Sequence, residues 1–304
     1  MATAAPSLAT PVVSPRRSAR SVTARSPLVQ ALVRTLQNPM GLLGAVIVLI
    51  LIAAAILAPL ISPYDPIEQH PGLELQPPSP EFWMGTDRLG RDLLSRVIWG
   101  SRSSLLIGVV AVGLGAFLGI ASGLAAGYLG GWVDGVLMRT FDALLSFPAI
   151  LLGIGIVSVL GNGALSVAYA LALATIPTFA RLMRARVLTE RERDYVVAAH
   201  CLGARSGRIM TRHVLPNAVA PLLIQISLSM GFAVLAESGL TFLGLGTQPP
   251  TPSWGGMLNE SRAYLRTAPW FGIFPGLALA MLLLGLNLFT DALRDALDPR
   301  RTNT

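Results

Sequence analysis

The chain has 304 residues, 53% hydrophobic and 13% charged, with a net charge of +7 and a mean hydropathy of +0.61. So little charge, against about 25% in a soluble domain, marks an integral membrane protein. All 23 basic residues are arginine, so no lysine can serve the phosphates of a P-loop; a single cysteine, Cys201, and three histidines exclude an internal disulfide and disfavour a metal centre.

Residues 1–35 are rich in Ala, Ser, Pro and Arg and read as a disordered basic cytoplasmic tail. The composition is that of a transit peptide, but the prolines spoil an amphipathic helix. The apolar run that follows is too long for the core of a cleaved signal. A spanning helix needs about 20 largely apolar residues. Residues 41–61 supply the first span and 103–127 the second. Just before the second, GTDRLGRDLLSRVIWG (85–100) sets Leu89, Leu93, Leu94, Val97 and Ile98 at helical spacing. It reads as an amphipathic interfacial helix.

Residues 143–180 carry no charge. As one helix they would be about 57 Å long, nearly twice the hydrocarbon thickness. Gly161-Asn162-Gly163 divides the run into spans 138–160 and 164–183, since Gly and Asn favour turns. Phe147-Pro148 and Pro177 are kink positions. The fifth span is 217–237 and the sixth 269–290, within a transmembrane domain of 36–298 and before a short tail, 299–304. Residues 238–259 are also uncharged, but TFLGLGTQPPTPSWGG is dense in Gly and Pro and reads as a structured, partly re-entrant loop. The fold class is therefore all-α, with six transmembrane helices.

Six spans put both termini on one side. Five arginines precede residue 40, and residues 181–212 carry eight arginines against three acids. The positive-inside rule places both segments, and the end with Arg294, Arg300 and Arg301, in the cytoplasm. Arg88, Arg91 and Arg96 lie on the other side, where two of them are expected to pair with acids such as Asp87 and Asp92.

Four groups of residues stand out. Gly115, Gly119, Gly123, Gly127 and Gly131 recur every four residues, a pattern that permits close helix approach, within the subunit or between subunits. Arg139 and Asp142 sit one turn apart and can pair. Glu237 closes the fifth span, where an ionisable group is a functional candidate or an interfacial residue. These last three form a candidate gate or interface set. His213 has no acidic neighbour and reads as an interfacial residue rather than a proton relay.

The fourth group is the basic, non-spanning segment 195–217, YVVAAHCLGARSGRIMTRHVLPN. Ala198, Ala199, Leu202 and Ile209 read as one side of a short helix over 197–210, broken at Gly203, with Leu215-Pro216 starting the next span. Ala198, Ala199, Gly203, Leu215 and Pro216 match the spacing of the Glu-Ala-Ala loop of ABC importer permeases. Val197 stands where that motif has Glu, and His213 where a branched apolar residue is usual. The resemblance implies that Val197, Ala198, Ala199, Leu202, Gly203, Leu215 and Pro216 couple the chain to an ATPase.

The resemblance extends over nearly everything after residue 35. QNPMGLLGAVIVLILIAAAILAPLISPYDP (37–66) and residues 85–108 are similar to the second, C-type permease of dipeptide and oligopeptide ABC importers. LPNAVAPLLIQISL (215–228), AESGLTFLGLGTQPPTPSWGGML (236–258) and DALRDALDP (291–299) are similar again. It implies the type I ABC importer permease fold, in a bacterial plasma membrane. It also implies a B-type permease partner, two ATPase subunits that bind the ATP and Mg, and an extracytoplasmic binding protein. No cofactor is expected in this chain itself, and no nucleic-acid partner, since the arginines flank apolar spans instead of lining one face. The 85–100 segment then either touches the binding protein or braces the second span, the second being favoured.

The implied function is import of di- or oligopeptides, with nickel or another small solute as the alternative cargo. A secondary transporter would show internal repeats and mid-membrane acids, which the spans lack. A membrane enzyme would need a catalytic or metal-ligand grouping, and none is evident in the sequence.

Overall fold

A computed structural model describes residues 27–297; the proposed tails before residue 27 and after 297 lie outside the described residues. The order is α1 (Pro27–Gln37), α2 (Pro39–Ile61), α3 (Leu93–Leu129), α4 (Gly131–Leu145), α5 (Ala149–Leu160), α6 (Ala164–Glu190), α7 (Asp194–Cys201), α8 (Ser206–Ile209), a π turn (Met210–Val214), α9 (Leu215–Phe242), α10 (Trp254–Ser261) and α11 (Trp270–Leu297). Five helical stretches are long and apolar enough to cross a membrane, or six if the bent pair α4–α5 is one span. α1 covers residues that the sequence reading gave to the tail. It is amphipathic, turns Ala31 and Thr35 inward and packs on α11.

Local chemistry explains the boundaries. The Asn38 side chain accepts from Met40 N and Pro39 occupies the first turn, where its missing N–H costs nothing. Asp92 caps α3 by accepting from Ser95 N at 2.7 Å and Ser95 Oγ at 2.6 Å. α3 then runs 37 residues, about 55 Å. The expected interfacial helix over 85–100 is not a separate element. Residues 86–92 form a tight loop closed by a Thr86–Asp92 bridge, and the helix starts at Leu93 as the first turn of the second span. It braces that span: Leu93 is fully buried in the cluster with Trp254 and Phe271.

The expected third span, 138–160, is two helices that meet at 93° across Ser146–Pro148. Pro148 disfavours helix at Phe147 and cannot donate to a preceding turn, so the chain turns there. Gly161 and Gly163 then make the tight return into α6.

α3 and α6 form the main packed pair. Gly115, Gly119, Gly123 and Gly127 face α6 of the same chain: a Cβ at Gly123 would stand 2.3 Å from the Ala180 carbonyl oxygen. In lipid, helices associate through such close packing rather than through expulsion of water. The glycine pattern is thus internal to the subunit up to Gly127, while Gly131 already belongs to α4 and has nothing near it. The core around this pair holds Phe179, Met183 and Val187, and α9 adds Leu222 and Leu240.

The loop expected over 238–259 is shorter: residues 238–242 continue α9 and 254–259 belong to α10, which leaves the Gly- and Pro-rich stretch 243–253 as a loop folded over the end of α9. α10 follows with Trp254 fully buried, its Nε1 donating to the Val97 carbonyl at 3.0 Å. The 62–92 loop is held to α3 and α10 by a buried charged cluster. Asp87 accepts from Arg91 Nε at 2.6 Å, and Arg96 Nε lies 3.2 Å away without hydrogen-bond alignment. Arg91 reaches Glu260 at 3.1 Å, and Arg96 Nη1 donates to the Pro66 carbonyl at 3.0 Å. All three arginines are therefore paired, Arg91 and Arg96 with Asp87 and Arg88 with Glu260; Asp92 caps the helix instead.

Candidate coupling segment

α6 hands over to the exposed segment through three residues, Arg191–Arg193. Arg191 Nη1 donates to the Gly127 carbonyl at 3.2 Å, which anchors the handover on the end of α3. Asp194 opens α7 at the end where the helix dipole favours an acid. The Tyr195 hydroxyl donates to Glu190 Oε2 at 2.6 Å. Burial, then the Glu190 carboxylate it bonds, push the Tyr195 phenol up to about 12.

α7 is two-sided. Val196 and Ala199 point into the core with Ile209 and Val214. Val197 is half exposed, Ala198 is exposed, and Leu202 is 87% exposed. The face proposed from sequence is thus divided: Ala199 and Ile209 inward, Ala198 and Leu202 outward.

The helix expected over 197–210 is two helices. α7 stops because Gly203 has φ +76°. Gly203 N donates to the His200 carbonyl at 3.0 Å and Ala204 N to the Ala199 carbonyl at 3.1 Å. This is the Schellman arrangement, completed by packing of Ala204 into the cluster that holds Ala199. No atom lies within 4 Å of a Cβ built on Gly203. Within this chain the glycine serves backbone conformation, not close approach.

Beyond Arg205 the chain does not pause before the fifth span. α8, the π turn and α9 make one 37-residue helical run, Ser206–Phe242. Leu215 and Pro216 therefore do not start a new helix after a break. Pro216 has no N–H for the Arg212 carbonyl, and the wider π turn falls at that place. Asn217 Nδ2 donates to the His213 carbonyl at 2.7 Å.

The other candidates lie apart from this segment. Asp142 pairs with Arg181 of α6, not with Arg139. The neighbouring Asp134 holds Arg184 through two contacts, 2.5 Å to Nε and 2.6 Å to Nη2. A planar guanidinium fits a carboxylate this way, and the two pairs pin α4 to α6. The i,i+3 spacing offered Arg139 a local partner; the facing helix offered a better one. Sequence reasoning missed Asp134, Arg181, Arg184 and Glu260 because their partners are 39 to 172 residues distant. Glu237 lies inside α9, fully buried, accepting from Thr241 Oγ1 at 2.9 Å and from Ser238 Oγ at 3.3 Å. Among the described residues, no three His, Cys, Asp or Glu gather as a metal site.

Comparison with known proteins agrees with this geometry. Residues 92–303 match the family described as binding-protein-dependent transport system inner membrane component, and residues 26–78 match the N-terminal TM domain of oligopeptide transport permease C. The chain is 41% identical over 278 residues to the dipeptide transport system permease protein DppC of Alkalihalophilus pseudofirmus, covering 91% of each. It is 43% identical to the di/tripeptide transport system permease protein DppC of Pseudomonas aeruginosa, over 91% of this chain and 94% of that one. It is 40% identical to the glutathione transport system permease protein GsiD of Pectobacterium atrosepticum, over 92% and 94%. Among solved structures, a chain of the inward-facing MetNI methionine ABC transporter superposes with a TM-score of 0.53 at 17% identity, over 68% of this chain and 97% of that one. That likeness concerns the fold alone.

Proposed function

Because the chain belongs to the family of binding-protein-dependent transport system inner membrane components, we propose that it is the permease subunit of an ABC importer that carries di- and oligopeptides into the cytoplasm. ATP is hydrolysed on separate subunits, two ATPases that bind the nucleotide and Mg. A second, B-type permease completes the pathway and an extracytoplasmic binding protein delivers the cargo. Both termini lie in the cytoplasm, in a bacterial plasma membrane.

The observation that carries this reading is the two-sided α7. Its inner face, Val196 and Ala199, joins the buried core with Ile209 and Val214, and its outer face leaves Val197, Ala198 and Leu202 open to a partner. Small and apolar residues there suit a groove on another protein, because they allow close approach. Gly203 sets the angle at which this face leaves the helical run that follows. Val197 makes the contact apolar where the related motif has a carboxylate. Peptide cargo is supported by the names of relatives at 41–43% identity.

The test is uptake. A strain lacking this chain should lose import of a labelled dipeptide and regain it when the chain is restored; unchanged uptake rejects the cargo. A Leu202→Arg chain should reach the membrane but fail to retain the ATPase in pull-down. Normal retention rejects the role of α7.

A further inference from the structure

An apolar groove of about 880 Å³ runs along the helix bundle between α2, α3, α9 and α11, with α1 across its far end. Its lining is aliphatic and aromatic except for Ser227 and one charge, Arg102. Ile56, Leu106 and Val109 are 57–70% exposed, so the groove opens sideways, out of the helix bundle.

The position of Arg102 is informative. Tyr64 N donates to Ser95 Oγ at 3.1 Å, which levels the end of α2 with the first turn of α3. Arg102 lies seven residues further along α3, about 10 Å deeper. It thus stands just inside the hydrocarbon boundary on the side of the 62–92 loop. Among the described residues no carboxylate lies within ion-pair distance of it. The ring of Trp99 lies 5.7 Å from its guanidinium carbon. A lone arginine at this depth is costly unless an anion meets it or it reaches the headgroups.

The groove is charged at one end only. From Arg102 it descends past Met230 and Phe289 to Leu32 of α1. On α11 the lining from Leu282 to Leu297 alone covers about 22 Å. One anion-binding group above a long apolar trough is the shape of an amphiphile with an anionic head. We propose that this groove is a binding site for one phospholipid, its phosphate on Arg102 and its acyl chains laid along α3, α9 and α11. A transmembrane helix of another subunit would instead leave Arg102 facing an apolar surface, or require an acid placed opposite it. The inference rests on the chain being a membrane-spanning permease, not on the cargo it moves.

The test uses the purified importer complex in nanodiscs of phosphatidylethanolamine and phosphatidylglycerol, with native mass spectrometry to count retained lipid. The wild type should hold one phospholipid per copy of this chain, with preference for phosphatidylglycerol. Arg102→Gln should lower its retention roughly tenfold, the worth of one charge-assisted contact. Arg102→Lys should restore part of it, and Met230→Trp, which fills the trough, should displace it. Dipeptide uptake, read in parallel, reports the transport function separately. The proposal is overturned if the wild type retains no lipid, or if Arg102→Gln and Met230→Trp retain as much as the wild type. It is equally overturned if a cysteine at Leu106 cross-links in high yield to the companion permease, which would show a helix in the groove.

Discussion

Gly123 of α3 lies against Ala180 of α6 so closely that a Cβ would meet the Ala180 carbonyl oxygen at 2.3 Å. The two helices touch through backbone there, and no side chain separates them.

Gly123→Leu should therefore prevent the α3–α6 pair from closing. Overpacking a helix contact costs about 1–3 kcal/mol, and here backbone must move. The variant should show sharply reduced folded protein by detergent-gel filtration. Gly113→Leu, on the same helix with open space around it, should fold normally.

The Asp134–Arg184 pair should behave as a unit. Each single change to alanine should loosen α4 on α6, and the double change should cost less than the sum. A coupling of about 0.5–3 kcal/mol is expected from a double-mutant cycle in thermal unfolding. Strict additivity would show that the pair contributes nothing.

Gly203 should tolerate side chains by their ease in the left-handed region, not by size. Gly203→Asn should retain α7 and its partner contact, whereas Gly203→Val should cost about 1–2 kcal/mol and tilt or fray the helix. Amide exchange over residues 198–204 measures this. Equal protection in both variants would contradict the backbone role.

Tyr195 supplies a pH marker. Its pKa is raised to about 12, so the folded state holds the phenol proton more tightly than the unfolded chain does. The linked stability is complete below about pH 10 and is lost as pH rises toward 12. Phenolate absorbance should show a late-titrating step that disappears in Tyr195→Phe. In Glu190→Gln, whose neutral amide no longer resists the phenolate, the step should move down.

The spans were legible in the sequence because lipid forbids charge, and long uncharged runs are visible without any tertiary information. The outer end of α3 was not, since Asp87, Arg91 and Arg96 look like surface residues until their mutual pairing buries them. Phe147-Pro148 announced a kink, but a 93° turn depends on what α4 and α5 pack against. In the coupling segment, Gly203 was readable as a special backbone position. The division of Ala198 from Ala199 was not, because it depends on where Ile209 and Val214 return after the turn. Arg139 and Asp142 satisfied a local rule, and Arg181, 39 residues on, satisfied Asp142 better.

The uninterrupted helical run from Ser206 to Phe242 spans about 55 Å. Its near end packs Ile209 and Val214 with the inward residues of α7, Val196 and Ala199, and its far end carries the buried Glu237 shortly before the 243–253 loop. Such a rod transmits displacement almost without compression. Its mechanically soft stretch is the π turn at Met210–Val214 with Pro216 beside it and Pro221 further along. A push delivered at α7 would therefore be divided at that turn: bending is absorbed there, and axial shift passes on across the membrane to the opposite mouth of the bundle.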